Sequence, residues 1–317
     1  MKIGIIGVGA MGSVYAGLFA EAGHEVWGVD TWAAHVDAIN RAGLRITGAS
    51  GDNTSAIHAT TDPGTVGPCD LVVIATKVAD VAQAAHAALC MRNADTPVLT
   101  IQNGLGAIDA LSRTIPAAHV LIGVAGGFGA SIKAPGHAHH NGMELVRLGE
   151  HSGGRSDRLE QLAMLWQEAG FKAQCYDNIE QLVWEKFICN VSFSGPCTVL
   201  GKTVGEVLED PHAWLVARGC GLEAFQVGRA RGVAFSFNDA PEYIHDFASR
   251  IPGAEPSMLQ DHRAARRSEI DHINGMVPTL AAEIGLSAPV NETIVALVRA
   301  LEAGFGADRE KPVVTRP

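Results

Sequence analysis

Residues 1–30 read MKIGIIGVGAMGSVYAGLFAEAGHEVWGVD, and this stretch decides the fold. Its apolar run Lys2–Ile6 predicts a buried strand that leads directly into Gly7, Gly9 and Gly12, in the spacing G-x-G-x-x-G. In that spacing the first glycine allows a tight turn and the second lets backbone approach a pyrophosphate. The third lets the next helix pack against the strand. The stretch therefore predicts a strand–turn–helix unit that binds a dinucleotide.

The residues after the glycines predict a helix over Met11–Ala22 and a second strand over Glu25–Val29. The first N–H groups of a helix have no partner inside it, and its dipole is positive at that end. We therefore expect Ala10 and Met11 to face the phosphates together with the glycines. Asp30 ends the second strand, where a carboxylate can accept hydrogen bonds from both ribose hydroxyls. A structural strand–helix–strand unit without a ligand is the alternative.

The overall composition bounds the class of protein. The chain has 317 residues, enough for two domains, and 47% of them are hydrophobic, which excludes global disorder. A formal net charge of −10 argues against nucleic acid or an anionic membrane surface as a partner. Met1 directly precedes the first predicted strand, so no targeting signal is expected. The longest uncharged apolar stretch, Val120–Ala130, is too short to span a membrane.

The six cysteines and the clustered histidines give no sign of a metal site. None of the cysteines has C-x-x-C spacing, which suits reduced thiols in a cytoplasmic protein better than a disulfide framework. His137, His139 and His140 are close in sequence, and a polar strand edge explains them more simply than metal binding. We therefore expect a cytoplasmic protein without a metal ion.

Strands and helices alternate through the first half, which predicts an α/β fold with a Rossmann-type, mostly parallel sheet wrapped on both faces. Strand signals stop near Tyr176, and helical patterns follow. We predict a dinucleotide-binding domain over residues 1–177 and an all-helical substrate or catalytic domain over 178–317. The polar tail from Ala307 is expected to be loosely held. Beyond the first thirty residues, the predicted elements are strands 44–47, 57–59, 70–75, 98–101, 120–127 and 144–148, and helices 33–42, 81–91, 108–115, 178–191, 212–231, 241–249, 257–272, 276–284 and 291–303.

Two polar residues follow predicted buried strands directly. Lys77 comes just after strand 70–75, and Asn103 comes just after strand 98–101. In an open α/β sheet, ligands bind at the carboxyl edge of the strands. A solvated lysine and a turn-forming Asn-Gly pair are the alternative reading of each residue alone. Their shared placement favours a function at this edge.

The second half holds polar residues where the helical pattern predicts burial. Lys186 and Asn190 are one turn apart on a helix, and Ser194 extends their face if the helix continues. Apolar neighbours surround Lys186, so its ammonium should be partly desolvated. Such a lysine either extends its charged end to water or acts as a proton donor with a lowered pKa. The residue pattern alone does not decide between these two roles of Lys186.

Taken together, these motifs resemble the ketopantoate reductase (2-dehydropantoate 2-reductase) family, in order and over nearly the whole chain. The matching motifs are Gly7-x-Gly9-x-x-Gly12, Thr76-Lys77, Gln102-Asn103-Gly104, Pro135-Gly136-His137, Trp184-x-Lys186-x-x-x-Asn190, Ser257-Met-Leu-Gln-Asp261 and Glu269-Ile-Asp-x-Ile-Asn-Gly275. The resemblance implies a Rossmann domain followed by a helical domain, with substrate and nicotinamide in the cleft between them. It also implies an oxidoreductase of pantothenate biosynthesis.

The resemblance assigns roles to individual residues. It implies that Lys186 is the catalytic lysine, which gives a proton to the 2-oxo oxygen as hydride arrives, and that Glu269 is its acidic partner. Asn190 and Ser257 would hold the polar groups of the substrate. The remaining cleft residues that it implies are Ser194 and Asn103 on the substrate side and Lys77 with Asn103 on the cofactor side. These roles agree with the chemistry, because a nearby ammonium stabilises the charge that hydride addition builds on the carbonyl oxygen.

The chain departs from the family pattern at two positions. Ser194 stands where the family usually has a second asparagine, which puts the substrate in question. Typical NADPH-using members carry a basic residue after the second strand, whereas this chain has Asp30-Thr31-Trp32. A carboxylate there accepts hydrogen bonds from a free 2′-hydroxyl and repels a 2′-phosphate. NAD(H) is therefore favoured over NADP(H).

The sequence thus predicts a reductase that transfers hydride between a nicotinamide cofactor and a small 2-oxo or 2-hydroxy acid. Ketopantoate is the first candidate substrate, and a related branched or larger 2-oxo acid is the close alternative. A non-enzymatic NAD(P)-sensing protein on the same scaffold is the alternative from another class. A homodimer is also possible. Neither nucleic acid nor a membrane is expected as a partner.

Overall fold

The computed structural model describes residues 1–127, 129–142 and 145–305. These residues form two compact units, Met1–Glu180 and a second that begins at Gln181. The predicted tail from Ala307 and Glu144, the first residue of a predicted strand, lie outside the described residues. The domain boundary after residue 177 stays a prediction.

The first unit contains two sheets. Its elements are β1 (Lys2–Ile6), α1 (Ala10–Glu21), β2 (Glu25–Val29), α2 (Ala33–Ala42), β3 (Leu44–Gly48), β4 (Asn53–Ser55), β5 (His58–Thr60), β6 (Leu71–Ile74), α3 (Val81–Leu89), β7 (Val98–Thr100), α4 (Ala107–Ser112), β8 (Val120–Gly126), β9 (Gly129–Ala134), β10 (His137–Gly142), β11 (Leu145–Glu150), α5 (Asp157–Glu168) and β12 (Ala173–Cys175). The larger sheet has the order β12-β11-β8-β7-β6-β1-β2-β5. Of its neighbouring pairs, β8–β11 is antiparallel and the others are parallel. The predicted α/β class with a mostly parallel sheet is confirmed.

The smaller sheet has the order β4-β3-β10-β9 and was not predicted. Strand 44–47 is present as β3, but it pairs with β4 and β10 rather than with the main sheet. The histidines at 137–140 lie on β10, an inner strand, so the expected polar strand edge is wrong. Thr47 Oγ1 lies 3.0 Å from both His137 Nε2 and His139 Nδ1, which satisfies these rings inside the sheet.

Helix α1 lies against strands of both sheets. Its run Gly12–Phe19 is buried without a polar face, which is the pattern of a helix covered on all sides. Gly17 permits this close packing, because a Cβ there would lie 2.7 Å from Ile46 Cγ1 of β3. Tyr15 and Phe19 of α1 pack edge-on against Trp166 of α5, with ring centroids 5.1 Å apart in each pair. The glycine turn therefore leads directly into a helix that is tightly packed.

All regular elements in the described part of the second unit are helices. Its elements are α6 (Ile179–Leu200), which starts at the end of the first unit, α7 (Val204–Glu209), α8 (Pro211–Ala230), α9 (Ala240–Ser249), α10 (Ser257–Arg263), α11 (Met276–Glu283) and α12 (Pro289–Glu302). The helix predicted over 178–191 is longer than expected and continues past Pro196.

The helix predicted over residues 257–272 is wrong, because the chain breaks it after Arg263. Ala265 has a φ of +51°, in the left-handed region. Its N–H donates to the carbonyl of His262, and the N–H of Arg266 donates to the carbonyl of Asp261, both at 2.9 Å. This pair of bonds is a Schellman motif with alanine in the place that glycine usually takes. The backbone then forms a loop that leads to Glu269.

Candidate active site

The glycine turn has the geometry that its spacing predicts. Gly7 has a φ of +91°, and a Cβ there would lie 2.7 Å from the Thr76 nitrogen. A Cβ on Gly12 would lie 1.9 Å from the Gly7 oxygen, so a larger residue would separate helix and strand. A Cβ on Gly9 would have no neighbouring atom within 4 Å among the described residues. Gly7 and Gly12 are thus required by the fold, whereas Gly9 leaves space open.

That space fits a pyrophosphate. Gly9 is the N-cap of α1 and brings no side chain to cap it, and the half-buried Ala10 and Met11 form the first turn. Their N–H groups and the positive end of the helix dipole favour an anion at this point. Thr76 Oγ1 is buried close to the turn and has no hydrogen-bond partner within the described part of the chain. A bound ligand can satisfy this hydroxyl, so the residues present fit a dinucleotide.

Asp30 lies just past the carboxyl end of β2 and is half-buried. Its Oδ1 accepts a hydrogen bond from the Trp32 N–H at 2.9 Å, which fixes the carboxylate. The nearest basic residues in sequence lie elsewhere. Lys2 is the first residue of β1 and lies at the amino-terminal end of the strands, opposite to Asp30. Its Nζ donates to the Val66 carbonyl at 2.5 Å. Arg41 is in the last turn of α2, about 10–15 Å along the helix from its first residue.

Lys77 and Asn103 are both exposed and both follow strands of the main sheet. Strands β6 and β7 are parallel neighbours, so these residues lie at the same carboxyl edge as Gly7 and Asp30. Gln102 stiffens this edge, because its Nε2 donates to the Ile74 carbonyl at 2.6 Å. The structure therefore brings the sequence-predicted cofactor residues to one edge of one sheet.

In the second unit, α6 carries Lys186, Asn190 and Ser194. Because α6 continues to Leu200, the three residues lie on one face, a turn apart. Lys186 and Asn190 are half-buried, whereas Ser194 is only 5% exposed. The lysine is thus partly removed from water, as its apolar neighbours predict.

Two other segments contact α6. Phe193 follows Lys186 by two helical turns, and its ring lies 6.5 Å from that of Phe247 on α9. The Asn274 amide donates to the Val191 carbonyl at 2.8 Å. The helix that carries Lys186 and Asn190 therefore contacts both α9 and the turn that follows Glu269.

Asn274 belongs to a buried polar network that sequence reasoning missed. Its Nδ2 also donates to Asn291 Oδ1 at 2.9 Å, and Asn291 Nδ2 donates to Glu223 Oε2 at 2.8 Å. Asn274 and Asn291 are fully buried, and the network links α6, α8 and α12. A buried hydrogen-bonded network favours one packing arrangement. Asn274 Oδ1 has no hydrogen-bond partner among the described residues. The only signal in the sequence was the asparagine inside the motif 269–275.

Glu269 is half-buried at the end of the loop that follows α10, and Ser257 is exposed at the first position of α10. The loop is held by Glu302 of α12, whose Oε1 accepts from the Ser268 N–H at 2.8 Å, from Ser268 Oγ at 2.6 Å and from His262 Nε2 at 3.1 Å. Burial alone would raise the pKa of Glu302, but these hydrogen bonds outweigh it, and the pKa lies below its ordinary value. The residue before Glu269 is thus anchored at two atoms.

Three further features concern possible metal-binding groups, helix length and the state of the cysteines. Within residues 1–127, 129–142 and 145–305, no three His, Cys, Asp or Glu side chains are grouped so that they could hold a metal ion. No helix in the same ranges combines the length and apolar character needed to cross a lipid bilayer. All six cysteines are free thiols.

Comparison with known proteins gives the family. The model of the family "Ketopantoate reductase PanE/ApbA" matches residues 3–153, and that of its C-terminal region matches residues 178–302. The fold and these matches define an oxidoreductase that uses a nicotinamide cofactor. The chain belongs to the ketopantoate reductase family. The non-enzymatic alternative is not supported.

Individual relatives match along almost their full lengths. A 2-dehydropantoate 2-reductase of Streptococcus pyogenes serotype M6 is 29% identical over 304 residues, 96% of this chain and 98% of the relative. The crystal structure of a PanE/ApbA family ketopantoate reductase from Ralstonia eutropha is 30% identical with a TM-score of 0.88, covering 96% of this chain and 99% of that one. A D-mandelate dehydrogenase with NADH and anilino(oxo)acetate is 26% identical with a TM-score of 0.89 and the same coverage.

Proposed function

We propose that this protein is an NADH-dependent reductase of a small 2-oxo acid. The observation that carries the proposal is the half-buried Lys186 on α6, on one helix face with Asn190 and Ser194, in a chain of the ketopantoate reductase family. A positioned ammonium next to amide and hydroxyl groups suits a substrate that carries both a carboxylate and a carbonyl.

The proposed reaction has one proton step for the protein. When bound, a reduced nicotinamide would supply a hydride to the carbonyl carbon, and the π bond to oxygen would break. Lys186 stabilises the negative charge on that oxygen and donates a proton from its ammonium to it, which completes the hydroxyl group. Glu269 supports the charge of the ammonium, and Asn190 and Ser257 hold the polar groups of the substrate. Lys186 then regains its proton from water.

Asp30 supports NADH as the cofactor. Its carboxylate stands at the carboxyl end of β2 and can accept the hydroxyl groups of a ribose. The positions after it, Thr31 and Trp32, bring no cation, and Lys2 donates to a carbonyl at the other edge of the sheet. The remaining residues assigned to cofactor binding are Gly7, Gly9, Ala10, Met11, Gly12, Lys77 and Asn103.

Ketopantoate is the first candidate substrate, because curated relatives that match nearly the whole chain are named 2-dehydropantoate 2-reductase. The substitution of serine at position 194 leaves this choice open. Ser194 has a shorter side chain than asparagine and is buried, so it offers less to a substrate group. A related 2-oxo acid with a larger side chain is the alternative.

One observation favours an aryl side chain as that alternative. Phe237, Tyr243 and Phe247, here called the aromatic row, are half-buried, and Tyr243 stacks on Phe237 with centroids 3.9 Å apart. Phe247 contacts Phe193, which lies on the same face of α6 as Lys186. Half-buried aromatic rings suit a planar apolar group. The similar D-mandelate dehydrogenase has a structure with anilino(oxo)acetate, in which a nitrogen joins the aryl ring to a 2-oxo carboxylate.

The test is an NADH oxidation assay with ketopantoate, benzoylformate and a straight-chain 2-oxo acid. Reduction of at least one substrate with NADH is expected. Phe247→Ala should lower kcat/KM for benzoylformate and spare ketopantoate if the aryl acid is the substrate. Leu215→Ala, which removes an exposed apolar side chain from α8, is the control and should change neither activity. A failure to reduce any 2-oxo acid with either cofactor would contradict the proposal.

We also retain a cytoplasmic location and a small-molecule partner as parts of the proposal. The six free thiols support a reducing compartment. The net charge of −10 supports the absence of nucleic acid among the partners. A homodimer stays a prediction, and sedimentation of the purified protein would test it.

A further inference from the structure

Trp32 occupies an unusual position at the end of β2. It is the N-cap residue of α2, two residues after Asp30, and it is 42% exposed. Its indole ring lies 5.0 Å from the ring of His35, at an interplanar angle of 12°. His35 is fully buried, so it covers the inner face of the indole. The outer face is left toward solvent at the carboxyl edge of the sheet.

His35 is held in one orientation by two hydrogen bonds. The Gly136 N–H donates to its Nδ1 at 3.0 Å, so Nδ1 carries no proton and Nε2 carries one. Nε2 lies 3.4 Å from Ser13 Oγ, which in turn donates to the Val8 carbonyl at 2.8 Å. Burial lowers the pKa of His35, which keeps this ring neutral and the arrangement intact.

These bonds link the indole to the proposed cofactor site from two directions. Val8 lies inside the glycine turn, and Ser13 lies in the first half of α1, so His35 connects that turn to Trp32. The backbone of Trp32 is tied separately to Asp30, whose Oδ1 accepts its N–H at 2.9 Å. The open space at Gly9, the Asp30 carboxylate and the indole plane are therefore fixed relative to one another.

We propose that the outer face of Trp32 is the stacking surface for the adenine ring of the cofactor, and that His35 is a positioning residue that holds this surface in place. A ribose held by Asp30 carries its base a few ångströms away, next to the indole. A purine stacks on an indole with a favourable free energy whatever its hydrogen-bonding pattern. An apolar indole face exposed to water is unfavourable, and a stacked base removes that face from water. The inference rests on the proposed dinucleotide site and goes beyond it, because nothing in the glycine motif specifies the base.

The experiment titrates the full-length protein with 5′-AMP, with nicotinamide mononucleotide as the comparison ligand. Isothermal titration calorimetry gives the affinity in every variant, and tryptophan fluorescence reports the quenching. Wild type should show quenching by 5′-AMP. Trp32→Ala should lose most of this quenching and bind 5′-AMP about tenfold or more weakly, with nicotinamide mononucleotide binding unchanged. Trp32→Phe keeps an aromatic face and should restore part of the affinity. Trp214→Phe, on α8 of the second unit, is the matched control and should leave the quenching by 5′-AMP intact.

His35 is tested in the same way, with a readout that a purely structural role would not move. His35→Gln should weaken 5′-AMP binding and leave nicotinamide mononucleotide binding near wild type, whereas a loss of folding would weaken both. Because His35 is buried and that variant can fail to fold, the surface variant Trp32→Ala decides the proposal. Normal 5′-AMP affinity in Trp32→Ala would overturn it while the dinucleotide site stands. Absence of both 5′-AMP and NADH binding in wild type would overturn the dinucleotide site itself, and the inference with it.

Discussion

The side-chain amide of Asn274 donates a hydrogen bond to the carbonyl oxygen of Val191 at 2.8 Å, and this bond joins the turn after Glu269 to α6. Val191 directly follows Asn190, so the bond sets the turn beside the proposed substrate-binding face. Gly195 makes room for it, because a Cβ there would lie 2.8 Å from Asn274 Oδ1. The two sequence motifs of the second half are therefore joined by one buried amide.

Asn274→Ala should destabilise the protein and impair catalysis together. The change removes two donated hydrogen bonds and leaves the Val191 carbonyl and Asn291 Oδ1 buried without this donor. We expect a loss of about 2–3 kcal/mol in the free energy of unfolding, measured by urea denaturation. The exposed Asn238→Ala in the same unit is the control and should change stability by less than about 0.5 kcal/mol. Unchanged stability in Asn274→Ala would show that the network carries little energy.

Glu302→Gln should reveal a pH-dependent contribution to stability. Glu302 ends α12, where the helix dipole disfavours a carboxylate, yet it accepts three hydrogen bonds and its pKa is lowered. A lowered folded-state pKa stabilises the protein above the unfolded value of about 4.3, and the effect is lost as pH falls through the folded pKa. The variant should therefore be less stable by about 1 kcal/mol near pH 7 and match wild type in acid.

Thermal unfolding across pH 3–8 measures that difference. The exposed Glu168→Gln is the matched control, because Glu168 also ends a helix but stands in water. It should lose no stability at any pH. A stability difference for Glu302→Gln that stays constant down to the lowest pH would mean that its charge is not the stabilising feature.

The sequence predicted the fold where local patterns were sufficient. The boundaries of β1, β2 and α2 agree with the structure residue by residue, because an apolar run, a glycine turn and an amphipathic period define them locally. The helix face of Lys186 and Asn190 also follows from their spacing alone. The smaller sheet could not be predicted from local patterns. Its strand β10 is rich in histidine and pairs with β3, which is far away in the chain.

Sequence motifs nominate the residues of the candidate site, but they do not predict how those residues are arranged. The break after α10 escaped detection because alanine is a strong helix former, and Ala265 takes its left-handed conformation within a loop that Glu302 holds from another helix. The Asn274 network joins residues of four distant segments, and no local pattern encodes such contacts. Tertiary hydrogen bonds therefore decide how Glu269 is presented.

Lys186→Ala should lower kcat by a factor of about a hundred or more, the usual scale for the loss of a positioned acid. The affinity for NADH, measured by fluorescence, should change little, because α6 belongs mostly to the second unit and the glycine turn to the first. Lys202→Ala, which removes an ion pair with Asp210 in the same unit, is the control and should keep near-normal turnover. Near-normal turnover of Lys186→Ala itself would remove Lys186 from the mechanism.

Asn190→Ala and Ser257→Ala should each raise KM for the 2-oxo acid about tenfold, because each change removes one hydrogen bond to a charged or polar substrate group. The Kd of the cofactor should stay within about threefold. Ser249→Ala, at the exposed end of α9, is the matched serine control. A collapse of cofactor affinity in either variant would place that residue on the cofactor side of the reaction.

Asp30 determines the last prediction, which concerns the choice of cofactor. A 2′-phosphate bound there would meet a carboxylate with no cation at Thr31 or Trp32, and the hydrogen bonds of the free 2′-hydroxyl would be lost. Together these effects should cost about 2–4 kcal/mol, or about 30- to 1000-fold in preference for NADH.

The measurement is kcat/KM with each cofactor, for wild type and for Asp30→Ala/Thr31→Arg. Wild type should favour NADH, and the double variant should shift toward NADPH. Asp37→Ala, an exposed aspartate within α2, is the control and should leave the preference unchanged. Equal or better use of NADPH by wild type would mean that a cation from elsewhere reaches the 2′ position, and that the Asp30 carboxylate does not select the cofactor.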